Sequence, residues 1–261
     1  MKTTFAVIGM LAAIGSTHLI ARGASPGLPG SCVGCDFAGR SLAGADLSGV
    51  AYVGSDFARA DLHNARFHRS NLTGVDFRNA DLRGADFSGA NLAGVDFDGA
   101  RLAGARFDGA TMAGIDLRGA FDAISDVDAR NLLHRCTGCD LRGTTLTGRD
   151  LRGIAIVGAD VRDVRARSVR LDGADLQGVD FQGADLRDAD LRGARLCSRN
   201  FDDGDGGQTI GCADFRNADV RGADMRDALL CAGRGSRECT QLDAATLRAH
   251  ARSDLAGAIL P

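Results

Sequence analysis

The sequence predicts an all-β solenoid built from four-sided coils, and three observations predict it. From Cys35 the chain runs in fives, "CDFAG RSLAG ADLSG VAYVG" and onward, for 17 units without a slip, ending at Gly119. The fifth position is Gly in 13 of those 17 units. Phe returns at the third position at steps of ten from Phe57 to Phe107. A period of five fits neither a helix nor a simple strand, and repetition on this scale marks a solenoid.

Each unit has its own physical logic. The third residue is apolar and the first is small. Positions two apart on an extended segment share a face, so these two turn inward and the intervening Asp or Asn turns out. A type II turn needs positive φ at its third residue, which Gly and, next best, Asn can adopt. Gly fits the fifth position for that reason, and so do Asn64 and Asn79. A unit is therefore one short side and one corner. Phe every ten residues gives pure columns only when a coil contains an even number of units. Four sides place Phe37, Phe57, Phe77 and Phe97 on one side, facing Phe67, Phe87 and Phe107 above Leu47. Leu42, Leu62, Leu82, Leu102 and Tyr52, Leu72, Leu92, Met112 fill the other two sides.

The rhythm divides the chain. Residues 1–23 read as a secretory signal: Lys2, then the apolar run Phe5–Ile14, too short to span a bilayer, then small residues. Residues 24–34 form an N-terminal cap carrying the first CxxC, and 35–119 the first block. Residues 120–138 break the pattern; Ser125, with Asp128 three residues on, caps a short helix to Leu133, although Val127 and Leu132 keep the old phase. A second block covers 139–203, a loop 204–212, a third block 213–232 and a C-terminal cap 233–261. Within that cap "TQLDAATLRAH" from Thr240 reads as a helix, and "SDLAGAIL" drifts back toward the repeat. Two stacked blocks and one continuous rod both remain open.

The units "ADLRG", "ADFSG" and "ANLAG" resemble the A-(D/N)-L-x-x motif of pentapeptide-repeat proteins. The resemblance covers about 34 units (17, 13 and four). It implies a right-handed quadrilateral parallel β-helix. It implies little about function: most members have no known activity, and the best-understood ones bind DNA gyrase by imitating DNA. "NLLHRCTGCDL" also resembles the opening of other exported members, where a Leu-bearing segment precedes CxxC-D-L.

Eight cysteines in an exported chain make four disulfides the economical expectation. In register, Cys32 and Cys136 are unit centres, and Cys35 and Cys139 are the next inward positions. Each pair straddles one corner, whose ends lie within about 7 Å, and a disulfide needs roughly 4.4–6.8 Å between Cα atoms. A shared zinc site would have to join pairs that the first block holds roughly 20 Å apart. Cys197, Cys212, Cys231 and Cys239 leave the pairing open. If "GDGG" (204–207) loops out, Ile210 becomes a unit centre below Leu230, which joins Cys212 to Cys231 and Cys197 to Cys239. The local pairing, Cys197–Cys212 and Cys231–Cys239, fits equally.

Little else points to chemistry. All but one of the 31 basic residues are Arg, all but one of the 34 acidic residues are Asp, and the net charge is −3. That balance does not suggest a nucleic-acid partner. Ser residues are scattered, and no Gly-rich loop leads into a helix. His63 and His68 read as surface residues. The column Asp36, Asp56, Asp76, Asp96, Asp116 could hold a divalent cation, yet Arg78 and Arg118 favour ion pairing. Arg162, Arg165, Arg167 and Arg170 form one basic cluster that could meet an anionic partner. No catalytic residue, cofactor or resident metal is expected. The expectation is a non-enzymatic periplasmic or secreted scaffold that binds a protein or envelope component, with no transmembrane segment once the signal is removed. A gyrase-binding DNA mimic stands second. Against it are the signal, the cysteines and the charge balance, 11 Asp to 9 Arg in block one and 12 to 11 in block two. A metal-binding envelope protein stands third.

Overall fold

A computed structural model of the chain describes residues 28–121, 124–134, 136–200, 209–233, 236, 238–251, 253 and 255–261. The signal segment expected at 1–23 and the "GDGG" of 204–207 lie outside them. Asp36 forms a parallel bridge with Asp56, Asp56 with Asp76, and Asp76 with Asp96, so one coil is 20 residues and four units. Bonds between coils follow one scheme: Phe57 N–H donates to the Asp76 carbonyl at 2.7 Å and Asp76 N–H to the Ser55 carbonyl at 3.0 Å. At the corners Ala60 N–H donates to the Phe57 carbonyl at 3.0 Å. Corner residues have positive φ, 65° at Gly39 and 57° at Asn64, as the turn type requires. Arg59, Arg69, Asp163 and Ser168 adopt it too.

The inward residues close the core. Phe57, Phe77 and Phe97 stack with centroids 5.4 and 5.6 Å apart, and Phe67, Phe87 and Phe107 with 5.0 and 5.3 Å. The two columns meet edge to face, as at Phe77–Phe87, 5.8 Å apart at 72°. This arrangement suits the ring quadrupole and leaves the interior filled. Beyond Phe107 the same positions hold mainly Leu, Val and Ile, with one stacked pair at Phe181–Phe215.

The break between the first two blocks is absorbed into a single coil. Bridges Ala113–Thr137 and Asp116–Asp140 carry the stack across it, and Asp140–Asp160 continues it. Within the break α1 (Asp126–Leu133) starts as expected, with the Ser125 hydroxyl accepting from Asp128 N–H. Leu132 is buried, but Val127 is 57% exposed and does not keep the old phase, because the helical turn rotates it outward. Arg149 ties the insert down by donating to the Ile124 and Phe121 carbonyls at 2.7 and 2.6 Å.

At the other end a small sheet interrupts the coils. It comprises β1 (Arg195–Asn200), β2 (Thr209–Cys212), β3 (Leu229–Cys231) and β4 (Cys239–Gln241), in the order β2-β1-β3-β4. Residues 209–212, expected in a loop, are thus a strand. Ile210 is not a unit centre beneath Leu230; it pairs antiparallel with Arg199, since the chain doubles back instead of looping out. The cap helix, expected from Thr240, is α2 (Ala244–His250), starting after the N-cap Asp243. Thr240 instead pairs with Leu230 in β3–β4. The tail then rejoins the stack, with Ile259 bridging Asp224.

Candidate functional sites on the faces and at the cystines

The four sides carry different chemistry once the register is followed across the breaks. One side presents an unbroken column of aspartates: Asp36, Asp56, Asp76, Asp96, Asp116, Asp140, Asp160, Asp180 and Asp214. Carboxylates stacked about 4.8 Å apart would repel one another. Arginines two residues along the chain offset this. Arg142 holds Asp140 at 2.5 Å and reaches Asp160 at 3.6 Å; Arg162 holds Asp160 at 2.6 Å and reaches Asp180 at 3.7 Å. Arg78 and Arg118 act likewise lower in the stack.

These contacts set the protonation equilibria. At Asp140 and Asp160 burial pushes the carboxyl up, but the Arg142 and Arg162 hydrogen bonds outweigh it and hold both below the usual range. The arginine hydrogen bonds dominate at Asp185, Asp190 and Asp224, and lower Asp219 to about 2. Asp96 goes the other way. Burial pushes it up and the Asp116 and Asp76 charges add to this, against only the Asp98 N–H and Arg78.

Among the described residues the adjoining side carries no charge from Ser31 to Val157. Its outward columns are Ser31, Ala51, Asn71, Asn91, Thr111 and Val33, Val53, Thr73, Ala93, Ala113, extended by Thr137, Ala155 and Val157. Val33 is 82% exposed, and among the described residues charge returns at Asp175; Arg135, two residues before Thr137 in the sequence, lies outside them. The corner after this side is glycine throughout, and a Cβ at Gly34, Gly54, Gly74, Gly94 or Gly114 would meet nothing within 4 Å. The result is a smooth strip. Nothing local in the sequence marks it, because its members lie 20 residues apart.

The arginine cluster is dispersed into ion pairs. Arg162 goes to Asp160, Arg167 to Asp188 at 3.4 Å and Arg170 to Asp150 at 3.8 Å, while Arg165 bridges Thr145 and Asp185 through the backbone. His63 bonds Asp61 at 2.6 Å.

The cysteines fall into four pairs. Cys32–Cys35 and Cys136–Cys139 straddle corners with Cα atoms 5.9 and 5.7 Å apart. Of the two pairings left open for the others, the structure has the local one, Cys197–Cys212 and Cys231–Cys239, each with Cα atoms 3.9 Å apart in antiparallel register. The two CxxC pairs are five bridge steps apart, roughly 24 Å, so they cannot share one metal. Among the described residues no group of three or more His, Cys, Asp or Glu could hold a metal ion. No helix there is long and apolar enough to cross a membrane.

Comparison with known proteins gives the following. The family described as Pentapeptide repeats matches in eight copies, over residues 41–79, 53–89, 80–119 and 167–198. A pentapeptide repeat protein from the Arabidopsis thaliana thylakoid lumen is 32% identical, over 41% of this chain and 80% of that one, with a TM-score of 0.31. HetL of Nostoc sp. strain PCC 7120, involved in heterocyst differentiation regulation, is 23% identical over 88% and 87%, with a TM-score of 0.31. QnrB1, a plasmid-mediated fluoroquinolone resistance protein, is 19% identical over 90% and 92%, with a TM-score of 0.38. No curated protein matches.

Proposed function

We propose, for a chain that belongs to the pentapeptide-repeat family, a non-enzymatic exported scaffold. Its coils wind as a right-handed quadrilateral β-helix, and its sides hold a protein or an envelope component. Signal 1–23 is removed; cap 24–34, blocks 35–119, 139–203 and 213–232, and cap 233–261 make up the mature rod. All eight cysteines are oxidised in the periplasm or outside the cell, where disulfides persist.

One observation supports this reading most: a filled rod with one smooth side, uncharged over its described residues from Ser31 to Ala113, beside an ion-paired one. Docking a partner costs least where no charge must be desolvated, and interface centres are depleted in charge. The uncharged strip is therefore the contact side. The DNA-mimic reading finds less support, because Arg78, Arg118, Arg142 and Arg162 offset the acidic column that would imitate phosphates.

Crosslinking pull-down from the envelope tests the proposal with three proteins: the natural chain, Ala93→Arg on the uncharged strip, and Asp160→Asn on the acidic column. Loss of the crosslinked partner with Ala93→Arg alone is the expected result. Equal retention by all three removes the strip from the reading. Intact Met1 on soluble cytoplasmic protein removes export.

A further inference from the structure

The Cys197–Cys212 pair stands beside a cavity of about 520 Å³, lined among others by Asp180, Ser198, Cys212, Asp214, Arg216 and His250. The volume is that of a small-molecule site. The two sulfurs are not equivalent. Cys197 is fully buried, whereas Cys212 is half-buried and lines the cavity. Cys136 and Cys139 are both fully buried, and neither Cys231 nor Cys239 lines this cavity.

We propose that the cavity is a thiol–disulfide exchange site for a small zwitterionic thiol, an amino-acid thiol or a short thiol peptide, with Cys212 as the sulfur attacked. The lining matches such a ligand. Arg216, which holds Asp214 at 2.7 Å, can receive its carboxylate through its remaining N–H groups, His250 can hydrogen-bond it from its ring, and Asp180 can take its ammonium group. The Arg216 guanidinium favours a thiolate over a thiol, and the thiolate is the nucleophile. In the step, a bond forms between the incoming sulfur and Cys212 Sγ as the Cys197–Cys212 bond breaks. Cys197 leaves as a thiolate and takes a proton from water. The products are one mixed disulfide and one free thiol, so no outside oxidant or reductant is needed. Cys197 stays opposite Cys212 in the β1–β2 register and can reverse the step. While the bond is open the β1–β2 excursion is unlatched at its root. Bridges Asp175–Arg195 and Asp180–Asp214 still hold the coils on either side.

The test treats the mature chain with free cysteine or with uncharged 2-mercaptoethanol at equal thiolate concentration, then alkylates and maps the products by mass spectrometry. Opening of Cys197–Cys212 is expected before Cys136–Cys139 or Cys231–Cys239. Cysteine should exceed mercaptoethanol at Cys212 by about three- to tenfold, as one or two partly exposed charge contacts allow. At Cys32–Cys35, on the open end, the two thiols should act alike. Arg216→Gln should reduce the preference. Should that variant misfold, Cys197→Ser gives a second readout: it leaves no resolving thiol, so cystine should leave a lasting adduct on Cys212, formed faster than with the neutral disulfide. Equal rates for charged and neutral reagents at Cys212 would overturn the proposal, as would earlier opening of Cys136–Cys139.

Discussion

The stack below the insert and the stack above it use one backbone but differ in what fills and what covers it. Below, seven phenylalanines and Tyr52 occupy unit centres, and the Asp-x-Arg pair occurs in three of 17 units. Above, in the 17 units of the second and third blocks, that pair occurs in eight, while the centres are mostly aliphatic, with Ala166 the smallest. The corner turn and the bridge pattern are unchanged. Coil geometry is therefore set by the corner and the backbone ladder. Core volume and surface charge vary independently around it.

Truncating a core ring should show the largest difference. Phe87→Ala removes a ring stacked on Phe67 and Phe107, and truncations of this kind cost about 3–5 kcal/mol. Val161→Ala is equally buried in the upper stack but removes about two methylenes, nearer 1.6 kcal/mol at about 0.8 each. Urea midpoints measure both. Equal losses would mean that a ring in the column contributes no more than two methylenes do.

The cystines sharpen the contrast, since each described pair sits where the rhythm starts or fails. Cys197–Cys212 closes a separation of 15 residues, for which chain entropy gives about 3 kcal/mol. Cys136–Cys139 closes a separation of three and gains less by the same model. Paired Cys→Ala variants should rank in that order by melting midpoint. The reverse order would show that packing of the buried Cys136 and Cys139, not chain closure, is their contribution.

Much of this was legible in the sequence, for local reasons. The period, the inward positions, the corners and the Ser125 cap each depend on residues within one unit or one helical turn. The β1–β2 hairpin was not legible, because nothing between Cys197 and Cys212 distinguishes doubling back from looping out. The uncharged strip and the full acidic column needed the register to be carried across the insert. A coil of 24 residues at Asp116–Asp140 provides that, and the five-residue motif does not predict it. Arg59 and Asp163 at positive φ also escape the motif, since the stacked coil imposes a conformation that their side chains disfavour.

Corners should behave alike in both stacks. At Gly99 an added Cβ would lie 2.6 Å from Asn79 Oδ1, and at Gly222 2.5 Å from Asp188 Oδ1. At Gly54 it would meet nothing, so Gly54→Ala bears only the left-handed strain, about 1–2 kcal/mol. Gly99→Ala and Gly222→Ala should each exceed it. Adding Asn79→Gly to Gly99→Ala should recover the excess, a coupling that a double-mutant cycle reads directly. If Gly54→Ala proves as costly as the others, the stacked Asn and Asp side chains are not what glycine accommodates.

Acid should produce the smallest difference and the one with a definite sign. Asp185, Asp190, Asp219 and Asp224 have folded pKa values below the ordinary range, Asp219 about 2. A depressed carboxyl contributes stability that is complete above its unfolded pKa of about 3.9 and is lost as pH falls through the folded value. That window runs from about pH 4 to 2. Asp96 has the opposite sign: its raised pKa means that folding favours the protonated form, so acid relieves the carboxylates stacked around it. Asp46, Asp61, Asp76, Asp81 and Asp86 are lowered, so the first block also weakens, but its phenylalanine columns do not titrate. Amide exchange, corrected for intrinsic rate at each pH, should therefore lose protection near Leu186–Leu191 before Leu82–Phe97. The salt dependence should follow the same order, because exposed pairs are screened and buried rings are not. Earlier loss in the first block would mean that its own lowered carboxylates, Asp76, Asp81 and Asp86 among them, and not the arginine-paired surface above it, make the acid-sensitive part of the rod.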